Sequence, residues 1–387
     1  MNLKLNNKND SFVFESIYRL TAVLPLAISM AVCSGMGIIG GILGGAIACA
    51  AVNTQYTKYL MPVFLSYSVV SYTYNVSGIS TVATGVAIAG VFLIISAFAG
   101  LNLKKLIFRP AISALMLATA INVTVLETTN YFGIGATGNT VGEMLESYGS
   151  LGFHANWHGV LYGTIVLVVM VTYPRKFKKL NTVVHATFVA LIGTLVLNLF
   201  LNPVAEKTSI NEIGAFSFNV TPALFPTFRE IPNIGNALLT GIALYFTTAY
   251  SISNSDKSGN LDFAVTGAAN CVMSSFAGGF LPYKSQTYKN FSFAGIPGMA
   301  LIIVCSIFFA DIIGRIPLHS CAVILIVGAW QSVRWRNLKT VFKDVTSMSC
   351  FIAVLTFTLF FGALKGVLFG AFVSLVGSQF TKPVKDK

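Results

Sequence analysis

Apolar residues in this chain come in long runs, separated by short polar and often basic interruptions. Runs of spanning or near-spanning length fall near 17–35, 37–53, 60–73, 79–100, 108–125, 157–173, 183–202, 234–251, 263–277, 283–292, 295–313, 317–331, 347–362 and 364–380. A helix needs about 20 apolar residues to cross the hydrocarbon core, so each run reads as a membrane segment. The third and tenth are the shortest. The longest polar interruption, from Asn202 to Asn233, divides the runs into two sets of seven. Seven is odd, so each set ends on the side opposite its start, and the two repeats must be inverted. The pattern predicts an all-α polytopic membrane protein of about 14 segments. It comprises a tail over 1–15, a first repeat over 16–202, a linker over 203–233, a second repeat over 234–380 and a tail over 381–387.

The odd segment sits third in each repeat. In the second repeat, Gly278-Gly279-Phe280-Leu281-Pro282 favours a broken entry, and Ser285-Gln286-Thr287 then reads as the opening turn of a short helix. In the first repeat, Thr57-Lys58-Tyr59-Leu60-Met61-Pro62 answers it, with Pro62 suited to a first helical turn. Irregular backbone at membrane depth survives only where protein covers it or where it lines a wet cavity. Paired breaks at matching positions of two repeats point to a transporter's substrate site. The unpartnered first-turn N–H groups carry the positive end of the helix dipole, so such a pocket prefers an anion.

Composition agrees with the pattern. Of the 387 residues 55% are hydrophobic and only 10% charged, and the mean hydropathy is +0.75. A soluble domain needs far more polar surface. The net charge of +12 would suit nucleic acid, but the basic residues gather in loops, which is a topology signal and argues against a nucleic-acid partner. With the N-terminus in the cytoplasm, the inner loops hold Lys104, Lys105 and Arg109, then Arg175 to Lys179, then Arg334 to Lys343, and the tail ends in Lys382, Lys385 and Lys387. The loop from Glu127 to His158 has no Lys or Arg. Both termini are therefore expected in the cytoplasm and the chain in a plasma membrane, the inner membrane if bacterial. The first fifteen residues lack the features of a signal peptide, and no soluble domain is expected after the last run. Six cysteines lie apart within apolar runs, with no CxxC pair, and read as small buried hydrophobes.

The candidate substrate residues are Tyr59, Leu60, Met61 and Pro62 from the first break, Lys284, Ser285, Gln286 and Thr287 from the second, and Thr247 from the eighth segment. Each has a plainer reading beside it. Ser285 and Thr287 are good helix caps, Lys58 and Lys289 suit a surface or snorkelling lysine, and Thr247 and Thr248 suit helix packing. His154 and His158 share a helical face but have no third ligand, so no metal is expected. The run Gly40 to Gly45 has no following Lys-Ser/Thr and reads as close helix packing rather than a phosphate loop. Glu127 and Asp311, near segment ends, are expected at membrane interfaces rather than in proton relays. No nucleophile–base–acid constellation appears, so neither an enzyme nor a cofactor is expected.

Several pieces, in order along the chain, resemble the sulfate permease (SulP) family of anion transporters and exchangers. They are Leu24-Pro25 in the opening helix, Ile210-Asn211-Glu212-Ile213 in the linker, and Ala269-Asn270 through Phe276-Ala277-Gly278-Gly279-Phe280. Ser285-Gln286-Thr287 with Asn290-Phe291, Ile316-Pro317-Leu318 through Val327, and Trp335-Arg336 follow. The resemblance implies two inverted seven-helix repeats split into a core and a gate domain, with anion transport through a site between segments three and ten. The chain departs from the family in having Leu26 for the usual Gln and Gln286 for a frequent Arg. It has Phe246 and Thr247 where segment eight usually has an acid, and the C-terminal STAS domain most members carry is not expected here. The leading expectation is a secondary transporter of small inorganic anions such as sulfate, bicarbonate or chloride. A carrier of an organic or uncharged substrate on the same fold, or a non-transporting scaffold or sensor, is the alternative. A homodimer is compatible with either.

Overall fold

A computed structural model describes residues 8–34, 38–51, 61–101, 108–133, 138–151, 155–201, 233–253, 260–274 and 295–380. Among these residues there is no β-strand. The helices of the first half are α1 (Lys8–Ser34), α2 (Ile38–Ala51), α3 (Met61–Ala99), α4 (Arg109–Phe132), α5 (Val141–Leu151), α6 (Trp157–Lys176), α7 (Lys178–Asn181) and α8 (Ala186–Leu201). Those of the second are α9 (Ile234–Ser253), α10 (Asn260–Ser274), α11 (Gly295–Phe308), α12 (Ala310–Ile313), α13 (Leu318–Ser332), α14 (Trp335–Val341), α15 (Val345–Phe361) and α16 (Ala363–Phe380). Every expected segment coincides with one of these helices except the tenth, which lies outside the described residues. Among the described residues, α1, α3, α4 and α6 are long and apolar enough to cross a bilayer, and α2, α8, α11, α13, α15 and α16 are apolar but shorter. Large apolar side chains face outward, with Phe98 87%, Phe200 85% and Phe308 79% exposed. That surface belongs in lipid, since a protein in water seldom leaves so much of it uncovered.

The 39 residues of α3 would measure about 58 Å as a straight rod, nearly twice the hydrocarbon thickness. The rod is interrupted at Gly78 (φ 77°, ψ 176°), a left-handed position open to glycine, which divides α3 into arms 61–77 and 79–99. The arms meet the same helix in opposite order. Ser66, Thr73 and Ser77 contact Thr247, Thr240 and Asn236 of α9, so that arm runs antiparallel to α9. Gly85 lies beside Thr240 and Ala237, Ile88 beside Gly241, and Ser96 bonds Tyr245, so the other arm runs parallel to it. The chain therefore reverses at Gly78, and α3 is a helical hairpin made of the third and fourth expected segments.

The strongest packings fall into two groups of helices. One holds α1, α2, α3, α9, α10 and α11. The other holds α4, α6, α8, α13, α15 and α16. Glycines allow closest approach in the first group: a Cβ at Gly41 would sit 2.3 Å from Ala31 Cβ, and one at Gly45 would sit 2.8 Å from Ala27 Cβ. The run Gly40 to Gly45 is thus a helix-packing surface, as expected.

Exchanging the two repeats maps several of the helix packings onto one another. The pair α6 and α8 corresponds to α15 and α16, α4 with α15 to α13 with α6, and α1 with α8 to α9 with α16. The self-corresponding pair, α4 and α13, crosses antiparallel, because Thr124 meets Trp330 while Gly133 lies beside His319. An axis in the membrane plane requires that arrangement.

Candidate functional site

Tyr59, Leu60, Lys284, Ser285, Gln286 and Thr287 lie outside the described residues, as do Lys58, Lys289 and the whole stretch from Gly278 to Ala294. Met61 and Pro62 are the first described residues of α3, and the rest of the expected first break lies outside the described residues. Thr247 is brought to that arm. Its hydroxyl is fully buried, donates to Leu244 O at 3.0 Å, and so receives the Ser66 hydroxyl at 3.1 Å. Thr247 therefore ties the first turns of α3 to α9. Its neighbour Thr248 is buried as well.

The arm 61–77 is polar on two opposite faces. At 100° per residue, Ser66, Thr73 and Ser77 form one stripe, and these hydroxyls bond α9 at 3.1, 2.9 and 2.7 Å. Ser68, Ser71 and Asn75 form the opposite stripe. They line a cleft of ≈ 450 Å³, part of it open to the outside, with Asn122 of α4, Thr140 just before α5, Met144 of α5 and Ala363 of α16 on the other walls. Ser68 Oγ is buried there and has no hydrogen-bond partner among the described residues. An arm with this pattern suits neither a lipid-facing nor a fully packed helix. It fits a helix lodged between the two groups, bonded to one and wet on the side of the other.

The cleft is roofed by α5, which lies in a stretch expected to be loop. Thr140 and Glu143 cap it: Glu143 N donates to Thr140 Oγ1 at 3.3 Å, and the Glu143 carboxylate accepts Asn139 N at 2.7 Å. Thr140-Val141-Gly142-Glu143 is the S/T-x-x-E signature of a helix start, a signal present in the sequence. Tyr148 of α5 donates its hydroxyl to Val125 O of α4. Burial first, and Glu127 second, push the Tyr148 phenol above its ordinary range.

Glu127, near the end of the fifth expected run, lies inside α4 with its side chain fully buried between the two groups. Tyr67 OH donates to Oε1 at 2.5 Å and Asn130 Nδ2 donates to Oε2 at 2.8 Å, with the Cys33 thiol of α1 nearby. The reason is that α4 runs on to Phe132, because its polar residues are satisfied within the helix. Thr124 and Thr128 donate to Ala120 O and Thr124 O at 2.7 and 2.6 Å. Asp311, by contrast, is exposed at the end of its segment. A second ionisable group carries no signal in the run pattern. Arg19 of α1 is buried, and its guanidinium donates to Cys49 O in the last turn of α2 at 3.0 Å, where a cation complements the helix dipole. His158 is exposed beside Trp157, and Asn156 caps that helix by accepting Gly159 N at 2.9 Å; His154 lies outside the described residues.

No protein-family model matches the chain, and no curated protein matches it by sequence. Solved structures do match it. The transmembrane domain of a cyanobacterium bicarbonate transporter, BicA, is similar with a TM-score of 0.71 at 15% identity, over 96% of this chain and 97% of that one. SLC26A9 is similar with a TM-score of 0.72 at 11% identity, over 97% of this chain and 67% of that one. The murine SLC26A9 anion transporter in its inward-facing state gives a TM-score of 0.68 at 11% identity, over 98% and 69%. The chain has the transmembrane fold of these proteins.

Proposed function

We propose that the chain is a secondary transporter or exchanger of small inorganic anions, of the sulfate, bicarbonate or chloride class, working by alternating access. The observation that carries this reading is the fold likeness to a bicarbonate transporter's membrane domain, which runs along nearly the whole of both chains. The placement of arm 61–77 supports it, since that arm follows the break expected from the sequence and lies polar on two faces between the helix groups. On this reading the anion sits where the N-termini of segments three and ten converge, held by backbone N–H groups of Tyr59 to Met61 and of Ser285 to Thr287, with Lys284 supplying charge and Thr247 a neighbouring hydroxyl. Pro62, which has no N–H, shapes the first turn beside it. The group of α1, α2, α3, α9, α10 and α11 then moves as the core against the other group as the gate, in a plasma membrane with both chain termini in the cytoplasm.

The test is flux in proteoliposomes with labelled sulfate, chloride and bicarbonate in turn, each competed by the others. Saturable uptake of at least one is expected, and Lys284→Gln should reduce its apparent affinity by about tenfold, the cost of one lost charge-assisted contact of about 1.4 kcal/mol. Unchanged affinity removes Lys284 from the site. Absence of flux for all three anions leaves a scaffold or a different cargo.

A further inference from the structure

We propose that Glu127 is a proton-binding site that couples anion movement to a proton gradient; this rests on the transport reading and adds its coupling ion.

Three observations carry it. The carboxylate is fully buried within a spanning helix, where ionisable groups are rare and usually functional. It also bridges the two helix groups, since Glu127 belongs to α4 and its donor Tyr67 belongs to α3. Among the described residues, the titratable groups facing it are Cys33 of α1, Tyr67 of α3, Tyr148 of α5 and Cys321 of α13. None of these is a cation. A carboxylate enclosed with hydrogen-bond donors but no counter-charge among them is enclosed at much lower cost as the neutral acid. Closure of the two groups around Glu127 therefore favours taking up a proton, and their separation favours giving it back to water.

A path for that proton is also in place. Ser71 lines the cleft one helical turn from Tyr67, whose hydroxyl bonds Glu127. Hydroxyls thus step from the cleft face of arm 61–77 toward the buried oxygen. The step balances simply: a proton from water on one side forms the Glu127 O–H bond, travels with the closed state, and is released to water on the other side. Nothing is oxidised or reduced. One proton accompanies each cycle in the direction of the anion.

The experiment uses the full chain in proteoliposomes with labelled chloride and labelled sulfate and a pH-sensitive dye in the lumen. An acidic exterior should drive accumulation of the label, and an inward anion gradient should acidify the lumen. Glu127→Gln should abolish both while anion-for-anion counterflow, which needs no net proton movement, continues. Retention of proton-driven accumulation in that variant overturns the proposal. So does wild-type flux that ignores the proton gradient or follows a sodium gradient instead, and either result leaves the transport reading standing. Absence of any anion flux overturns the transport reading, and the coupling with it. If Glu127→Gln lacks counterflow and so has not folded, Tyr67→Phe decides the question. Its proton-driven uptake should show a displaced pH midpoint, and an unmoved midpoint overturns the proposal.

Discussion

Small residues decide how closely the core helices approach, and two glycines make the point by contrast. Gly41 lies where α2 crosses α1, and any Cβ there would meet Ala31 Cβ at 2.3 Å and Ala27 O at 2.6 Å. The second contact is backbone, which cannot rotate away. Gly193 of α8 is exposed, with nothing within 4 Å of a built Cβ. Gly41→Ala should therefore destabilise the protein by roughly 1–3 kcal/mol, the usual cost of overpacking. Gly193→Ala should be neutral or stabilising by up to about 1 kcal/mol, since alanine loses less backbone freedom in a helix. Thermal unfolding in one detergent ranks the two, and equal midpoints would show that α1 and α2 are not so tightly apposed. The packing role of the glycine run was legible in the sequence. The burial of Glu127 was not, because an apolar-run criterion ends the fifth segment at 125, two residues short of it. Hydropathy counts Thr124 and Thr128 as polar, whereas their hydroxyls are consumed by the preceding turn and leave the helix free to continue.

At the scale of elements, α3 and α5 show what a run-counting reading captures and misses. Two runs near 60–73 and 79–100 correspond to the two arms of α3, and Gly78 between them supplies the reversal. The seam to α9 was also written in the sequence, as hydroxyls at 66, 73 and 77 on one helical face, but a polar stripe in a membrane segment names no partner until α9 is placed beside it. Helix α5 escapes such a reading for a different reason: in a loop with no long apolar run, only its cap marks it. That cap is the handle for a test. Thr140→Ala removes the acceptor for Glu143 N and should cost α5 roughly 0.5–2 kcal/mol. Hydrogen exchange of backbone amides over 141–151 should then speed up while α4 stays protected. Unchanged exchange over α5 would mean that its contact with Val125, through Tyr148, holds it without the cap.

Across the whole molecule, the decisive question is which contacts slide and which do not. The hydroxyl pair Thr73 and Thr240, 2.9 Å apart, lies inside one helix group. The contact of Tyr72 with the Gly362 turn, where an added Cβ would come within 2.4 Å of the ring, joins the two groups, as does the cleft wall shared by Tyr72 and Ala363. If the groups move against each other as rigid bodies, a bridge within one of them costs nothing and a bridge between them stops the cycle. In a chain whose six native cysteines are replaced, the pair Thr73→Cys and Thr240→Cys should cross-link with little change in anion flux. The pair Tyr72→Cys and Ala363→Cys, joined by a short bifunctional thiol reagent with a cleavable disulfide spacer, should arrest flux and recover it on reduction. Arrest by the first bridge would place the moving boundary inside the α3–α9 seam. Flux surviving the second would mean that the cleft does not open and close, so the anion would have to pass without relative motion of the two groups.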